Sequence, residues 1–249
     1  GLRFTDEFVR HKILDSIEKI EKSEWDLLFG DIPEGYDFFK TVEKSNLKGY
    51  SFSYILIYKD NSLLLIVPIF ITDFNLDIAV EGILQRLIQT ARKFIPRFLI
   101  LKTLFCGSPF GEDGILGLKP GYPDKDILIL ELTKIMGIIC RENNIPFAIF
   151  KDFLKEDLVI LEPIKKRGFF TVESFPAVVL ELSFNSLDDY FRSLSHNTRK
   201  NLRRKIKKAR SCTDITVKVT DNVEDIIEDV YGLYLNTYNA GKVKFERLT

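Results

Sequence analysis

The feature that most constrains the fold of this chain is a hydrophobic run over residues 63–71, which contains no charged side chain. The run is about half as long as the ~20 residues that a membrane-spanning helix requires, and Pro68 interrupts it. It therefore predicts a strand that is buried on both faces. A second β-rich run, residues 51–58, precedes it across Lys59-Asp60-Asn61. This spacing predicts an antiparallel hairpin whose second strand covers residues 62–72.

Helix and strand periodicities alternate along the rest of the chain up to residue 182. Before the hairpin, we expect a short strand at 12–14 and helices at 17–28 and 36–45. After it, the expected order is helix 80–94, strand 98–105, loop 106–123, helix 124–143, strand 146–150, helix 155–167, and strands 169–173 and 177–182. Asp124 is placed to cap its helix. The alternation predicts an α/β protein with a mixed (α+β) sheet and helical crossovers.

Two features of this half invite a functional interpretation. The loop at 106–123, C-G-S-P-F-G-E-D-G-I-L-G-L-K-P-G-Y-P, is rich in glycine, but it matches neither a P-loop nor a dinucleotide fingerprint, so we expect a plain surface loop. Lys151 and Asp152 follow the predicted strand 146–150, where ligands of α/β proteins bind. A surface salt bridge between them is the expected role.

The strongest charge pattern lies in residues 186–210, S-L-D-D-Y-F-R-S-L-S-H-N-T-R-K-N-L-R-R-K-I-K-K-A-R. From Arg192 to Arg210 there are nine Lys or Arg and no acid, whereas the whole chain has 36 basic and 36 acidic residues. An apolar stripe at helical spacing predicts one helix that docks on a core by that edge. The stripe comprises Phe191, Leu194, Thr198, Leu202, Ile206 and Ala209.

Two interpretations of this basic segment remain open. It is either a solvated helix face or a binding site for an anion, such as a phosphate, a nucleic acid, a lipid headgroup or an acidic protein surface. The lack of Glu at i,i+4 within the run favours an anion. A general nucleic-acid binder is the weaker alternative, because no aromatic residue follows Phe191 within the run and the net charge of the chain is zero.

After the basic segment, we expect a strand at residues 215–220 and a helix at 223–238, with Asp221 and Glu224 as a capping box. The three cysteines, Cys106, Cys140 and Cys212, are far apart and match no metal-ligand spacing. We therefore expect reduced thiols and no metal site. The first residues lack the apolar core of a secretory signal. Together these features predict a cytoplasmic protein without an integral membrane segment.

Several blocks of sequence carry a family resemblance. In the second half they are S-F-P-A-V-V-L-E-L, D-D-Y-F-R-S-L-S-H-N-T-R-K-N-L-R-R-K-I-K-K-A and D-V-Y-G-L-Y-L-N-T-Y-N-A-G-K-V-K-F-E-R-L; in the first half they are W-D-L-L-F, F-F-K-T-V-E-K-S, I-V-P-I-F and G-S-P-F-G. Together they resemble the FemAB/FemX-like (peptidoglycan aminoacyltransferase-like) branch of the GNAT acyltransferase superfamily. The resemblance implies tandem GNAT-like domains, at residues 1–175 and 176–249, the second including the basic helix. A complete second domain would need roughly a hundred residues more, so we expect the chain to be a fragment.

The resemblance also implies an activity. It implies transfer of an acyl or aminoacyl group from a coenzyme A thioester or an aminoacyl-tRNA to an amine of a cell-wall-type or other small acceptor, which can be nucleotide-linked. Such an enzyme holds no tightly bound cofactor, since acyl-CoA or aminoacyl-tRNA is its co-substrate. The alternative is a non-catalytic module that uses the basic helix to bind a phosphorylated ligand, a nucleic acid or a protein.

Candidate site residues follow from the same resemblance. It places an arginine of the R-x-x-x-R/K element, here Arg199, near the phosphates of a nucleotide-linked acceptor, and planar bidentate donors suit that role. Lys200, Arg203 and Arg204 are the supporting candidates. His196, at the head of the basic run, is the candidate base, with a polar cap or a surface position as the alternative.

Overall fold

A computed structural model describes residues 9–76, 82–111, 113–173 and 178–241 of this chain. By its internal contacts the chain divides into two units, Gly1–Ser174 (unit 1) and Phe175–Leu248 (unit 2). That each unit is a GNAT-like domain stays a prediction.

Unit 1 is built around one mixed sheet, and the predicted α/β class with a mixed sheet is confirmed. The strand order is β1-β2-β3-β4-β6, and β5 pairs with β3. All neighbouring pairs are antiparallel except β4 and β6, which are parallel. The strands are β1 (Val9–Leu14), β2 (Ser51–Lys59), β3 (Ser62–Asn75), β4 (Ile100–Cys106), β5 (Gly117–Leu118) and β6 (Phe147–Phe150).

Two layers of helices cover this sheet. The helices of unit 1 are a 3-10 turn (Ile17–Lys19), α1 (Lys22–Phe29), α2 (Tyr36–Lys44), α3 (Gly82–Phe94), α4 (Lys125–Glu142) and α5 (Leu158–Lys165). One core cluster joins the sheet to α4 and α5, and the other joins it to the 3-10 turn, α1 and α2. Leu65 belongs to the first cluster and Ile66 to the second, and both are 0% exposed. The predicted burial of this strand on both faces is confirmed.

The hairpin is also confirmed. Lys59 pairs with Ser62, so the connection is the two-residue turn Asp60-Asn61. Both turn residues have positive φ, 49° and 63°, as a type I′ turn requires.

Pro68 is accommodated in β3 at a break in the pairing on one side. β4 pairs with β3 from Ile69 onward, and β5 pairs with Leu65 and Ile66. The Pro68 carbonyl accepts the N–H of Gly107 at 2.9 Å, on the side where the chain leaves β4. Since the N–H and C=O of an antiparallel residue point to the same side, the donor that proline lacks would point to this break. Loss of that donor costs no ladder hydrogen bond there.

Some local predictions in unit 1 are wrong in detail. Helix α5 is shorter than residues 155–167, because 155–157 form a turn. Asp124 is the N-cap of α4, but its side chain makes no capping hydrogen bond. Residues 169–173 form no strand, and Phe170 and Val172 are largely exposed. No described strand pairs with that segment, so alternation alone did not produce a strand. The first residues of the predicted helix 80–94 lie outside the described residues.

In its described residues, unit 2 contains helices joined by segments without regular secondary structure. Its elements are α6 (Leu187–Ser193), α7 (His196–Cys212), a 3-10 turn (Glu224–Ile226) and α8 (Ile227–Ala240). The single helix predicted for residues 186–210 is broken, because Leu194 is extended and Ser195 begins α7 by accepting the Thr198 N–H on its Oγ at 3.3 Å.

The predicted docking of the basic helix on a core is not observed. Within the described residues, α7 has no buried side chain. On the predicted stripe, Phe191 is buried, Leu194, Leu202 and Ile206 are half-buried, and Thr198 and Ala209 are exposed. The stripe therefore packs only partly within unit 2.

The strands predicted at 177–182 and 215–220 are also wrong. The described residues of these segments, 178–182 and 215–220, form no strand. Val178 and Val219 are more than 90% exposed, and no described strand lies beside them. The helix predicted at 223–238 corresponds to the 3-10 turn and α8. Its cap is not the predicted box, because Glu224 donates its N–H to Asn222 Oδ1 at 2.9 Å.

Candidate functional site

In unit 1 the carboxyl ends of the parallel strands β4 and β6 lie side by side. Cys106 pairs with Phe150, and the Lys151 N–H donates to the Cys106 carbonyl at 3.1 Å, one residue beyond the ladder. Ligands of α/β sheets bind outside the carboxyl ends of such strands. This edge is therefore where a site in unit 1 is sought.

The glycine-rich loop covers this edge, and the prediction of a plain surface loop is wrong. Its first residues, 106–109, and Gly111 are buried, and Gly117–Leu118 form β5 in the sheet. The Gly114 N–H donates to the Asp152 carbonyl at 2.8 Å. A Cβ at Gly114 would lie 2.6 Å from the Lys151 carbonyl oxygen. It would also lie 2.4 Å from the Phe153 ring, so glycine is required here because protein backbone and an aromatic ring, not a ligand, approach closely.

Glycine is also required at position 117, because the ring of Phe29 lies close to it. The Phe29 ring stacks on Trp25 with centroids 4.2 Å apart, and a Cβ at Gly117 would lie 2.5 Å from that ring. At the start of the loop, Ser108 is 3% exposed, and its Oγ accepts the N–H groups of Phe110 and Gly111 at 3.2 and 3.0 Å. The loop is thus fixed by packing and by its own hydrogen bonds.

A half-open cavity of about 170 Å³ lies beside this loop, where residues of the two core clusters meet. Among the described residues that line it, Asp157 is the only ionisable one. The lining residues are Phe29, Ile32, Gly114, Ile115, Leu116, Leu118, Phe153, Asp157 and Ile160. The sequence pattern gave no sign of this cavity, because its walls come from the region of α1, the glycine-rich loop and the residues around the start of α5.

A wider, open depression of about 600 Å³ lies over the α1–α2 connection. Its charged groups include Lys22 and Asp37, which form an exposed ion pair at 2.6 Å. The hydrogen bond between them lowers the pKa of Asp37 and raises the pKa of Lys22. Both groups therefore stay charged and paired, which does not favour acid–base chemistry.

The predicted salt bridge between Lys151 and Asp152 is confirmed. The two side chains are in contact and are 26% and 29% exposed. Asp152 has a φ of 59°, which is uncommon for a residue other than glycine. The pair lies where β6 ends, and the two opposite charges form an ion pair with each other.

Two of the three cysteines are poorly suited to nucleophilic catalysis. All are free, as expected, with Cys106 buried, Cys140 half-buried and Cys212 exposed. Burial raises the pKa of the Cys106 thiol far above its usual range and also raises the pKa of Cys140. A thiol of raised pKa holds less of the reactive thiolate.

In unit 2, the structure gives Arg199 an internal contact. Its Nη1 donates to the carbonyls of Phe191 and Arg192, each at 3.4 Å, at the carboxyl end of α6. Positive charge is favourable there because the helix dipole is negative at its carboxyl end, and the Phe191 carbonyl also accepts the Leu194 N–H at 3.3 Å. Sequence analysis missed this contact because it treated α6 and α7 as one helix.

Arg203 and Arg192 also contact α6. Arg203 lies 3.6 Å from Asp188 and stacks over the Phe191 ring at 5.7 Å, and Arg192 pairs with Asp189 at 3.1 Å. Asp188 and Asp189 precede the run from Arg192 to Arg210. Acidic residues just outside the run therefore compensate part of its positive charge.

Four other cations of α7 lie on an adjacent face of the helix. Lys200, Arg204, Lys207 and Lys208 follow the i, i+4, i+7, i+8 spacing of one helix face. Arg204 donates to Asn201 at 3.1 Å, and no described residue pairs with the three lysines. Of the four predicted phosphate ligands, Arg199 and Arg203 thus face α6, whereas Lys200 and Arg204 face outward. We call the outward set the basic face.

His196 is the first residue of α7 and is exposed. The capping role belongs to Ser195, whose Oγ accepts the Thr198 N–H. Among the described residues, no group of His, Cys, Asp and Glu side chains could hold a metal ion. Nor does any helix in the described ranges have the length and hydrophobicity needed to span a bilayer.

Comparison with known proteins gives only distant likenesses. No family model matches the sequence, and no curated protein matches it. Among solved structures, a ribosomal-protein-alanine N-acetyltransferase from Brucella melitensis biovar Abortus 2308 aligns with a TM-score of 0.41 and 8% identity, over 70% of this chain and 100% of that one. A protein described as "a probable acetyltransferase" aligns with a TM-score of 0.38 and 10% identity, over 72% of this chain and 99% of that one. Both are described as acetyltransferases, but TM-scores of this size do not identify a fold family.

The packing of the glycine-rich loop makes a prediction about stability. Replacing Gly114 with Ala should lower the free energy of unfolding by about 1–3 kcal/mol, because the new methyl group meets the Phe153 ring and the Lys151 carbonyl oxygen. Gly137 in α4 is the matched control, since a Cβ there meets only the far end of Arg141 at 4.0 Å. Gly137→Ala should raise stability by about 0.5–1 kcal/mol. Urea denaturation followed by circular dichroism measures both, and equal effects would show that the loop is not packed in this way.

The contacts of Arg199 make a second prediction. Arg199→Ala should destabilise unit 2 by about 1 kcal/mol, because two carbonyls at the end of α6 lose a charged donor. Lys200→Ala removes one charge from the basic face and should change stability by less than about 0.5 kcal/mol. Thermal unfolding of the two variants compares them directly, and equal stabilities would mean that Arg199 does not hold the end of α6.

Proposed function

We propose that this protein is an acyltransferase that moves an acyl group from an activated donor to an amine. The observation that supports it best is the sheet of unit 1, in which antiparallel strands β1 to β4 are followed by the crossover helix α4 and the parallel strand β6. An acyltransferase-type mixed sheet is what the sequence resemblance implies. The cavity beside the carboxyl ends of β4 and β6 is the candidate site for the reacting groups.

The reaction requires few side chains. A neutral amine attacks the carbonyl carbon of a thioester or ester; a C–N bond forms, the C–S or C–O bond breaks, and the leaving sulfur or oxygen takes the electron pair. The proton lost by the amine passes to water or to the leaving group. Backbone N–H donors can stabilise the developing oxyanion. The N–H groups of Gly107 and Gly114 are not free for this, because they donate to Pro68 and Asp152.

The donor and acceptor belong to the finer part of the proposal. We propose a coenzyme A thioester or an aminoacyl-tRNA as donor and an amine of a cell-wall-type or other small acceptor, in keeping with the FemAB/FemX-like resemblance. In this proposal residues 1–175 are one GNAT-like domain, and residues 176–249 are the start of a second. The location is the cytoplasm.

The basic helix would bind phosphates of a nucleotide-bearing substrate. Arg199, Lys200, Arg203 and Arg204 remain the proposed set, and their contacts suggest a division of roles. Lys200 and Arg204 would contact the phosphate from the basic face, whereas Arg199 and Arg203 hold α7 against α6. Each charge-assisted contact is worth about 1.5–3 kcal/mol, or roughly ten- to a hundredfold in affinity. His196 remains the candidate base, on the ground that it is exposed at the start of α7.

A non-catalytic binding module is the second candidate function. The observation that favours it is the basic face itself, whose three lysines have no partner among the described residues. Such a module would bind a phosphorylated ligand without converting it.

One set of measurements separates these functions. Calorimetry with acetyl-CoA, a uridine-nucleotide cell-wall precursor and an aminoacyl-tRNA tests binding, and mass spectrometry of donor and amine mixtures tests transfer. The double variant Lys200→Ala with Arg204→Ala should bind at least about tenfold more weakly than wild type. The variant Lys218→Ala, an exposed lysine outside α7, should bind like wild type.

An amide product that requires the protein would support acyl transfer. Binding that the double variant weakens, without any product, would instead favour the binding module. Equal binding by the double variant and Lys218→Ala would mean that the basic face is only solvated.

A further inference from the structure

The cavity of about 170 Å³ beside the glycine-rich loop has a composition that selects among ligands. Its walls are apolar except for one carboxylate, Asp157. We propose that it recognises a small primary alkylamine in its ammonium form, or the aminoalkyl end of a larger molecule, as the acceptor, which then loses a proton to water and attacks the acyl donor as the neutral amine. This inference rests on the proposed acyl transfer and names the class of amine.

The volume limits the part of the ligand that the cavity encloses. The cavity of about 170 Å³ is smaller than sites for drug-sized molecules, which are about 300–1,000 Å³. A short alkyl chain with one terminal amine fits this volume. Because the cavity is half-open, the rest of a larger molecule can lie outside it.

The apolar walls would hold the alkyl part. Ile32 and Phe29 lie on the α1 side, and Ile115, Leu116 and Leu118 belong to the glycine-rich loop and β5. Phe153 and Ile160 complete the wall on the side of α5. Burial of each further CH₂ group against such walls raises affinity about fourfold, so affinity rises with chain length until the cavity is full.

Asp157 would select ligands by their charge. It is half-buried and is the N-cap of α5, but its side chain makes no capping hydrogen bond. Its carboxylate oxygens therefore accept no capping hydrogen bond from the first N–H groups of α5. The neighbouring carboxylate Asp152 is already paired with Lys151. A carboxylate in apolar surroundings attracts an ammonium group strongly, disfavours a carboxylate ligand and gives little to a neutral one.

Methyl NMR on the whole chain tests the proposal. With the Cδ1 methyl groups of isoleucine labelled, n-butylamine should shift the signals of the cavity residues Ile32, Ile115 and Ile160. 1-Butanol, the neutral analogue, should bind at least about tenfold more weakly, and butanoate should not bind. Equal affinity for the amine and the alcohol would overturn the proposal, as would shifts that leave out these three residues.

Two carboxylate variants supply the matched comparison. Asp157→Asn keeps the shape of the side chain but removes its charge, so it should weaken n-butylamine binding about ten- to a hundredfold. Glu156→Gln removes the adjacent, exposed carboxylate, which does not line the cavity, and should bind like wild type. Equal effects of the two variants would overturn the role of Asp157. If Asp157→Asn does not fold, Ile160→Phe, which fills the cavity, should abolish the binding, and retained binding would overturn the proposal.

A failure of this inference can be told apart from a failure of the proposed function, because amine binding is measured without an acyl donor. Amine binding that depends on Asp157 would support the acceptor site even if no donor yields a product. Product formation that is the same in Asp157→Asn and wild type would overturn this inference and leave the acyltransferase proposal standing.

Discussion

The burial of β3 on both faces is the constraint on which unit 1 depends. Residues 63–70 are all buried, and their side chains enter core clusters on opposite sides of the sheet. Full burial of one such side chain contributes about 1.5–3 kcal/mol, so covering both faces outweighs any local preference along the strand. Because each face needs its own helices, α1 and α2 cover one side, and α4 and α5 cover the other. The layered α/β arrangement follows from this one strand.

The break in pairing at Pro68 decides what lies at the candidate site. Proline cannot donate, so the chain can leave the sheet after β4 at this point and return as β5 without loss of a ladder hydrogen bond. The glycine-rich loop is the segment between these two strands. It packs against Lys151, Asp152 and Phe153 beyond the end of β6. The cavity with Asp157 is the space that this packing leaves.

Sequence patterns predicted the elements whose cause is local. The hairpin follows from two β-rich runs around Asp60-Asn61, and α4 follows from its apolar periodicity, so both were predicted within a few residues. β5 was missed because its two residues become a strand only by pairing with the distant Leu65 and Ile66. The opposite error occurred at residues 215–220, where alternation predicted a strand although no described strand pairs with it.

The candidate site was less predictable than the fold. The salt bridge of Lys151 and Asp152 was predicted correctly because the two residues are adjacent. The cavity was not, because its walls come from segments far apart in sequence. In α7, composition indicated a cationic helix but could not tell which cations face outward. That division depends on the break at Leu194 and Ser195, which turns Arg199 toward the carbonyls of α6.

The central claim is that the glycine-rich loop is part of the folded edge of the sheet and forms one wall of a preformed site. Amide hydrogen exchange of Gly114 and Lys151 tests it most directly, because their N–H groups donate to the Asp152 and Cys106 carbonyls. Both amides should exchange as slowly as those of β4, such as Phe105, which pairs with Phe70. Exchange at the rate of an exposed segment, such as Phe170, would show that the loop is open and that the cavity is not a formed site.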